Sequence, residues 1–391
     1  MDAHSKDGLK QLDNLLAAAD QSWLFGAGIS LGANIPLMNP LTDRIFAKAV
    51  EEKDTRATEV LTAVKAVLPD GSHIEHILSH LGDHATIAER SKTQKSQIGA
   101  VTIELSEFRT LHAKFLKWIA ETIRWGYKPK RDKDPELIGT REKPIVEVKA
   151  HADFVSALFN RNQAGIADRR GAVRLFTTNY DTLLEDALAI GCFPYWDGFS
   201  GGALAFRCHR YGQPEPDSGY RAFVIKLHGS IDWHLGVDDR VWRVRDGDLY
   251  PEKTARVLIY PQSTKYLATQ RDPFAAQFDL FRHTLGSGGE NVFATCGYSF
   301  GDEHINQEIE LAMQRPDNKT TILAFSFGLN DTLKKWQKAS WARRLYIITE
   351  AGLFVGADGP LFPPKAGAKH DWWTFGGVTK LLNSGAEAWV L

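Results

Sequence analysis

The 391-residue sequence has few cysteines, no long apolar run and almost no net charge. Its three cysteines, Cys192, Cys208 and Cys296, are far apart and form no Cys-x-x-Cys pair, which argues against disulfides and structural zinc. No apolar stretch reaches the roughly 18 residues of a membrane-spanning helix. The net charge of −1 provides no overall field that would attract nucleic acid or an anionic membrane. The amino terminus predicts a short amphipathic helix instead of a signal peptide, so we expect a cytoplasmic protein.

Apolar side chains form short runs that have the composition of buried strands. Most of these runs are followed by a segment with helical periodicity. This alternation predicts an α/β protein with a Rossmann-like, doubly wound and mainly parallel sheet. The predicted strands are residues 22–28, 172–178, 222–229, 257–261, 292–299, 321–327 and 345–349.

The segment between the first two predicted strands is long and has helical periodicity. We therefore predict a sheet domain made of residues 1–50 and 166–350, and a large helical insertion module made of residues 51–165. Residues 351–391 lack a regular pattern, and we expect an irregular tail that covers the sheet edge or forms an interface. The main basic cluster, residues 124–134, also contains prolines and acidic residues. We interpret it as a solvated connection and do not expect direct nucleic-acid binding.

The first predicted strand ends in the sequence LFGAGISLGANIP (24–36), and ligands of an open α/β sheet bind beyond such strand ends. Gly26 and Gly28 permit a tight turn in which backbone N–H groups approach a phosphate. The fingerprint of the dinucleotide-binding dehydrogenases is incomplete, because no acidic residue ends a second strand about 20 residues later. A tight strand–helix turn capped by Ser30 would explain the same residues.

The second predicted strand ends in the polar sequence TTNYDTLLED (177–186). Thr182 and Glu185 have the spacing of a capping box, which predicts a helix start near residue 183. This cap leaves Asn179 and Asp181 unexplained. Asn179 carries a donor and an acceptor that suit a sugar hydroxyl or a water, whereas Asp181 suits a ligand amide or a helix start.

His228 lies at the end of the third predicted strand, in the sequence VIKLHGSIDW. A histidine titrates near neutral pH and can act as a base, although a single histidine can also be a core residue. Gly229 leaves space beside the ring, which favours a functional role for His228.

Together and in this order, the three strand ends resemble the sirtuin family. The matching segments are Gly26-Ala27-Gly28-Ile29-Ser30 with Ile35-Pro36, Thr178-Asn179-Tyr180-Asp181, and Leu227-His228-Gly229-Ser230. Residues 297–306 (GYSFGDEHIN) fall where sirtuins close the ribose and adenine side, and residues 258–266 and 73–78 look like the prokaryotic sirtuin-like branch. The resemblance extends over roughly residues 20 to 310 and, more loosely, to residue 350.

Departures from the sirtuin deacylases bear on the function. The chain lacks the four zinc cysteines that follow the histidine segment in those enzymes, and Leu37-Met38-Asn39 replace the family's aspartate-phenylalanine-arginine. This pattern is similar to the sirtuin-like NAD hydrolases of bacterial antiviral defence, which destroy NAD instead of deacylating proteins. The resemblance therefore implies an NAD glycohydrolase that yields nicotinamide and ADP-ribose, with NAD as substrate, no further cofactor and no metal.

The resemblance also implies roles for individual residues. Asn179 would position the ribose or a water, His228 would act as a base, and Asp181 would help to orient the nicotinamide side. The residues expected to contact the rest of the dinucleotide are Gly26, Ala27, Gly28, Ser30, Pro36, Thr178, Gly297 and Ser299.

The sequence does not exclude two other functions. One is an NAD-dependent protein deacylase or ADP-ribosyltransferase, and the other is a non-catalytic scaffold that binds NAD or ADP-ribose for a partner. An NAD hydrolase that was always active would poison its host, so we expect control by homo-oligomer assembly or by a partner. In the family that this chain resembles, a HerA-family ATPase, an Argonaute-type protein or a phage component can play that part.

His73, His76, His80 and His84 fall on one side of a predicted helix. Histidines at such spacing can bind zinc or nickel, but they also border an apolar face of isoleucines and leucines. The sequence leaves metal binding at this histidine stripe undecided.

Overall fold

The computed structural model describes residues 3–131, 134–161, 172–217, 219–245, 249–259, 272–286, 288–365 and 367–386. The described helices are α1 (Ala3–Leu16), α2 (Met38–Glu51), α3 (Thr55–Val67), α4 (Ile74–Arg90), α5 (Leu105–Trp125), α6 (Lys149–Arg161), α7 (Leu183–Ile190), α8 (Phe274–Leu285), α9 (Glu303–Met313), α10 (Asp331–Trp336) and α11 (Phe375–Ser384). Within the described residues, no helix combines the length and the apolar character needed to cross a bilayer.

The described strands are β1 (Gln21–Phe25), β2 (Lys95–Ile98), β3 (Val101–Glu104), β4 (Tyr127–Lys128), β5 (Leu137–Ile138), β6 (Val173–Thr177), β7 (Tyr195–Trp196), β8 (Phe199–Gly201), β9 (Leu204–Arg207), β10 (Ala222–Lys226), β11 (Gly229–Leu235), β12 (Val241–Val244), β13 (Arg256–Ile259), β14 (Val292–Cys296), β15 (Thr321–Phe325), β16 (Leu345–Thr349), β17 (Gly352–Val355) and β18 (Asp358–Leu361).

The main sheet has nine strands in the order β18-β17-β16-β15-β14-β1-β6-β10-β7. The strands from β16 to β7 pair in parallel, whereas β17 pairs antiparallel with both β16 and the edge strand β18. The chain first adds β6 and β10 on one side of β1, and then adds β14, β15 and β16 on its other side. This is a doubly wound, mainly parallel sheet, so the predicted fold class is confirmed.

Helices cover both faces of the sheet, because successive side chains of a strand point to opposite sides. On one face, Trp23 and Phe25 of β1 pack in a core with side chains of α1, α6, α7 and α11. On the other face, Leu24 packs in a core with side chains of α8, α9 and α10. Burial on both faces is the reason that these strands are continuous apolar runs, the pattern by which the sequence predicted them.

The prediction that residues 257–261 form a strand of the parallel sheet is wrong. β13 (Arg256–Ile259) belongs to a second, antiparallel sheet with the order β13-β11-β12-β9-β8, and residues 260 and 261 lie outside the described residues. The sequence analysis did not predict this second sheet. A short apolar run indicates burial but does not identify the strand that will pair with it.

Helices α3, α4 and α5 of the predicted insertion module share a core with α2 and with side chains of α7, β11 and β13. Side chains of α2, α3, α4 and α5 are buried together, and the hairpins β2–β3 and β4–β5 add short strands that the sequence did not predict. Helix α6 also falls within residues 51–165, yet Phe154 and Leu158 of α6 pack against the sheet. The division into domains stays a prediction.

The carboxyl-terminal residues are not irregular, which corrects the expectation for residues 351–391. Strands β17 and β18 extend the sheet edge, and α11 packs against α6. The Trp372 side chain is fully buried and donates its indole N–H to the carbonyl of Thr349. An interface of this tail with a neighbouring chain stays a prediction.

The winding of the sheet changes direction between β1 and β14, and the loops after these two strands are in backbone contact. The N–H of Gly26 donates to the Cys296 carbonyl (3.2 Å), and the N–H of Gly28 donates to the Gly297 carbonyl (3.0 Å). A Cβ atom on Gly26 would lie 2.6 Å from the Gly297 oxygen, and one on Gly28 would lie 2.8 Å from the Gly297 Cα. Both glycines are therefore required by the close approach of two backbones.

We expect Gly26→Ala to lower the free energy of unfolding by about 1–3 kcal/mol, because the added methyl group overlaps backbone that cannot rotate away. Gly32→Ala is the matched control, since a Cβ atom there meets nothing within 4 Å. Urea denaturation of both variants measures the effect. Equal stability of Gly26→Ala and Gly32→Ala would contradict the inferred backbone contact.

Candidate active site

A cavity of about 1240 Å³ lies at the carboxyl ends of the parallel strands, at the point where the winding changes direction. Five strand ends contribute to it: the segments after β1, β6, β10, β14 and β15 all line its wall. The predicted site residues that line this cavity are Gly26, Ala27, Gly28, Ser30, Pro36, Thr178, Asn179, Asp181, His228, Gly297 and Ser299. The structure therefore brings all of them to one cavity, although the roles assigned to them stay predictions.

The Ser30 hydroxyl connects the first and second motifs. It accepts a hydrogen bond from Asn179 Nδ2 (3.0 Å) and donates one to Asp181 Oδ2 (2.8 Å). All three side chains are buried. The Nδ2 end of the Asn179 amide is held by Ser30, whereas its Oδ1 is buried without a hydrogen-bond partner. A buried acceptor at the wall of a cavity suits a ligand that donates a hydrogen bond.

Asp181 also caps helix α7. Its Oδ1 accepts the N–H of Leu183 (3.0 Å), so both carboxylate oxygens are engaged within the protein. The predicted helix start near residue 183 is confirmed, but the predicted capping box is not formed. Thr182 donates to Asp186 (2.9 Å) and makes no cap bond, because the Asp181 carboxylate already serves the first turn.

A buried ion pair lies behind Asp181. Lys226 Nζ donates to the backbone carbonyl of Asp181 and lies 3.3 Å from Glu185 Oε1. Burial raises the pKa of the Glu185 carboxyl to about 7, and the attraction of Lys226 only partly offsets this. Burial alone would lower the pKa of Lys226, but the carboxylates of Glu185, Asp181 and Asp232 outweigh it and raise the pKa. The ammonium group therefore stays charged and holds the backbone of the second motif.

His228 lies two residues beyond β10, with its side chain 4% exposed. The turn that aims it depends on Gly229, which has φ +86°, and a Cβ atom there would lie 2.1 Å from the Leu258 carbonyl oxygen. His228 Nε2 lies 4.0 Å from Asp302 Oδ1, across the cavity wall formed by the segment after β14. Since His228 lines the cavity together with Asn179, an imidazole and a carboxamide face the same space.

The backbone of the glycine loop is already bonded within the protein. The N–H groups of Gly26, Gly28, Ile29 and Ser30 each donate to a protein carbonyl. In this arrangement the glycines serve the close packing against Gly297, and these four N–H groups are not spare donors for a phosphate. Phosphate contact by the loop stays a prediction.

Several residues at the cavity were not predicted as site residues. His73, Glu75 and His76 reach the cavity from the start of α4, and the Tyr180 hydroxyl donates to Glu75 Oε1. Burial and the Glu75 charge hold the pKa of Tyr180 well above its usual value, so this hydroxyl stays protonated. Trp373 reaches the same cavity from the carboxyl-terminal segment. Only the tertiary structure brings these distant segments to the motif residues.

His151 is a further residue without a signal in the sequence. It is completely buried on α6, its ring packs 5.0 Å from Phe375, and neither ring nitrogen has a hydrogen-bond partner. Burial lowers the pKa of His151, while the nearby Asp181 charge opposes the change. A neutral imidazole therefore borders the carboxylate that anchors the second motif.

The histidine stripe of α4 does not converge on one point. The His73 and His76 rings lie 4.1 Å apart and the His80 and His84 rings 4.6 Å apart, and the His84 Nδ1 shares a hydrogen bond with Ser96 (2.8 Å). His73 and His76 cap the start of α4. Within the described part of the chain, these four histidines do not supply three ligand atoms to a common point.

We expect Ser30→Ala to destabilise the fold by about 1–3 kcal/mol, because the buried Asp181 oxygen loses its donor and the Asn179 amide loses its acceptor. Ser106→Ala, on the exposed side of α5, is the control. Chemical denaturation of the two variants makes the comparison. A Ser30→Ala protein as stable as Ser106→Ala would rule out the three-residue hydrogen-bond chain.

The sequence model of the SIR2-like domain family matches residues 173–345, which are 173 of the 391 residues. No curated protein matches the chain. The matched segment extends from β6 to the start of β16 and includes Asn179, His228 and Gly297, whereas the glycine loop after β1 lies outside it. Residues 173–345 are therefore similar to the SIR2-like domain family, which consists generally of NAD-dependent enzymes.

Proposed function

We propose that the protein is an NAD glycohydrolase that cleaves the bond between nicotinamide and ribose to give nicotinamide and ADP-ribose. The observation that carries this proposal is the shared cavity of Asn179 and His228 at the change of winding in a sirtuin-like domain. Its volume of about 1240 Å³ exceeds the roughly 300–1,000 Å³ of common small-molecule sites, so a dinucleotide fits by size.

The reaction needs little acid–base catalysis from the protein. The bond from the ribose C1′ to the nicotinamide nitrogen breaks, and its electron pair neutralises the positive charge of the pyridinium ring. Nicotinamide therefore leaves as a neutral molecule without a general acid, unlike the leaving group of an ordinary glycosidase. Water then forms the new bond to C1′ and loses one proton. A site for this chemistry needs one base and one group that positions the ribose or the water.

His228 and Asn179 supply these two needs. The imidazole of His228 accepts the proton of the water or of a ribose hydroxyl. The Asn179 amide is held at one end by Ser30, so its buried Oδ1 presents a fixed acceptor to the substrate. Asp181 acts on the substrate indirectly, because both of its carboxylate oxygens are bonded to the protein. In this proposal Asp181 is a positioning residue and not a group that touches nicotinamide.

Incubation of the purified chain with NAD and chromatography of free nicotinamide tests the proposal. We expect Asn179→Ala and His228→Ala each to slow nicotinamide release by about 10²–10⁴-fold, through lost positioning and lost base catalysis. His283→Ala is the matched control, since His283 is 78% exposed on α8. The buffer contains a chelator, so that metal ions do not affect the comparison.

Release of nicotinamide without an acyl-lysine peptide supports hydrolysis over deacylation. Intact NAD under every condition, with unaltered biological activity of Asn179→Ala and His228→Ala, would instead identify a nucleotide-binding scaffold. Equal rates for His228→Ala and His283→Ala would remove His228 from the mechanism.

We further propose that the activity is gated and serves antiviral defence, since unregulated hydrolysis would exhaust the NAD of the cell itself. The proposed gate is homo-oligomer assembly or binding of a partner such as a HerA-family ATPase. The assay above, repeated with the partner and with the mass of the assembly measured in parallel, tests this. Full activity of the isolated monomer, unchanged by any partner, would contradict gating.

A further inference from the structure

Three potential metal ligands converge at the edge of the candidate site. The ligand atoms of His228, Asp302 and His304 all lie within 4.8 Å of one another. Within the described residues, no other three histidine, cysteine, aspartate or glutamate side chains come this close together. His228 and Asp302 line the cavity, and the His304 ring lies against the His228 ring, 5.5 Å between centroids and 29° from parallel. We propose that His228, Asp302 and His304 bind a divalent cation of the zinc type, and that the cation inhibits the enzyme.

The start of α9 brings the two new ligands together. Asp302 is the residue before the first helical turn, and its carboxylate makes no cap bond to that turn. Its backbone carbonyl accepts the N–H groups of Ile305 (3.1 Å) and Asn306 (3.0 Å), so the main chain at this point is fixed. Its Oδ1 instead lies toward His228 Nε2 at 4.0 Å. The carboxylate therefore makes a contact at the cavity wall.

Packing holds His304 on the far side of His228. The His304 ring lies 5.5 Å from the Phe278 ring of α8 and 5.5 Å from the His228 ring, so it packs between these two rings. His304 is not among the residues that line the cavity. A cation bound by the three side chains would therefore have His304 on the side away from the cavity. Its remaining coordination positions would face the cavity.

The donor set matches the chemistry of late first-row cations. Two imidazoles and one carboxylate form the protein part of catalytic zinc sites and of other open divalent sites. Ligands at 2.0–2.2 Å from a tetrahedral zinc lie roughly 3.3–3.6 Å apart, so the three groups, now within 4.8 Å of one another, must close by up to about 1.5 Å. Side-chain rotation supplies a movement of that size without displacing the backbone. Because the set contains no cysteine, the absence of paired cysteines does not argue against it.

Inhibition is expected because His228 would be both a ligand of the cation and the base of the reaction. This expectation rests on the proposed function. A His228 nitrogen that coordinates a cation has no lone pair to accept a proton, so the base of the proposed hydrolysis is removed while the cation is bound. The site would thus couple cation concentration to NAD cleavage. A simple ion pair between His228 and Asp302 is the competing explanation, and it assigns no role to His304.

Binding is tested without reference to activity. The full chain, freed of metal with a chelator, is titrated with Co²⁺ and then with Zn²⁺ while visible absorption and heat are recorded. We expect one cation per chain, d–d bands of a nitrogen and oxygen site, and displacement of Co²⁺ by Zn²⁺. In His304→Ala the affinity should fall by more than about tenfold, and in Asp302→Asn likewise, whereas His283→Ala should bind as the wild type does.

His304→Gln keeps the side chain's size and serves as the second variant if His304→Ala unfolds, which circular dichroism reports. No bound cation in the wild type, or equal affinity in wild type and in folded His304 variants, overturns the proposal. Nicotinamide release is also measured with and without Zn²⁺ for each variant, and the ratio of the two rates is compared between variants. Zinc should inhibit the wild type strongly and the His304 variants weakly. If the chain proves not to cleave NAD, the binding arm still decides whether the metal site exists.

Discussion

The hydroxyl of Ser30 is the contact on which the candidate site depends. It joins Asn179 and Asp181, which lie 149 and 151 residues further along the chain, through two hydrogen bonds in a buried environment. One oxygen atom thus sets the distance between the loop after β1 and the loop after β6. The same bond fixes one end of the Asn179 amide and leaves the other end as an acceptor at the cavity. Under the proposed function, positioning of the substrate and folding of the second motif would share one interaction.

The glycines of the first motif are required by the fold itself, whether or not a ligand is bound. Gly26 and Gly28 have no room for a Cβ atom, because the loop after β14 crosses them at Gly297. This crossing lies where the winding of the sheet changes direction, so it also forms the floor of the cavity. A motif that resembles a phosphate loop is thus explained in large part by contact between two backbones. Binding of a dinucleotide would use the shape that this contact creates.

Charges around the cavity are arranged in two layers. Behind the wall, Lys226 holds the carbonyl of Asp181 and neighbours Glu185, a pair buried deeply enough to raise the pKa of the Glu185 carboxyl to about 7. At the wall, His228 faces Asp302 at 4.0 Å. The inner pair makes the strand ends rigid, whereas the outer pair faces the space in which a substrate or a cation would bind. Fixed support behind a reactive group at a cavity wall is what precise positioning requires.

The sequence alone predicted the doubly wound fold class, six of the seven parallel strands of the main sheet and the residues that end those strands. Burial on both faces leaves an unbroken apolar run, and polar groups at the end of such a run, Asn179 and His228 among them, are a local pattern that can be read without coordinates. The resemblance to sirtuins rests on the same local segments.

Only the tertiary structure decided which segments meet. The pairing of residues 256–259 with β11 in a second sheet, and the approach of His304 to His228, depend on contacts between distant parts of the chain. The same holds for His151, which has no neighbour in the sequence that would reveal its position beside Asp181. A side chain's type and local spacing indicate burial and chemistry, but its partners are set by how whole helices and strands pack, and that energy is not local to any segment.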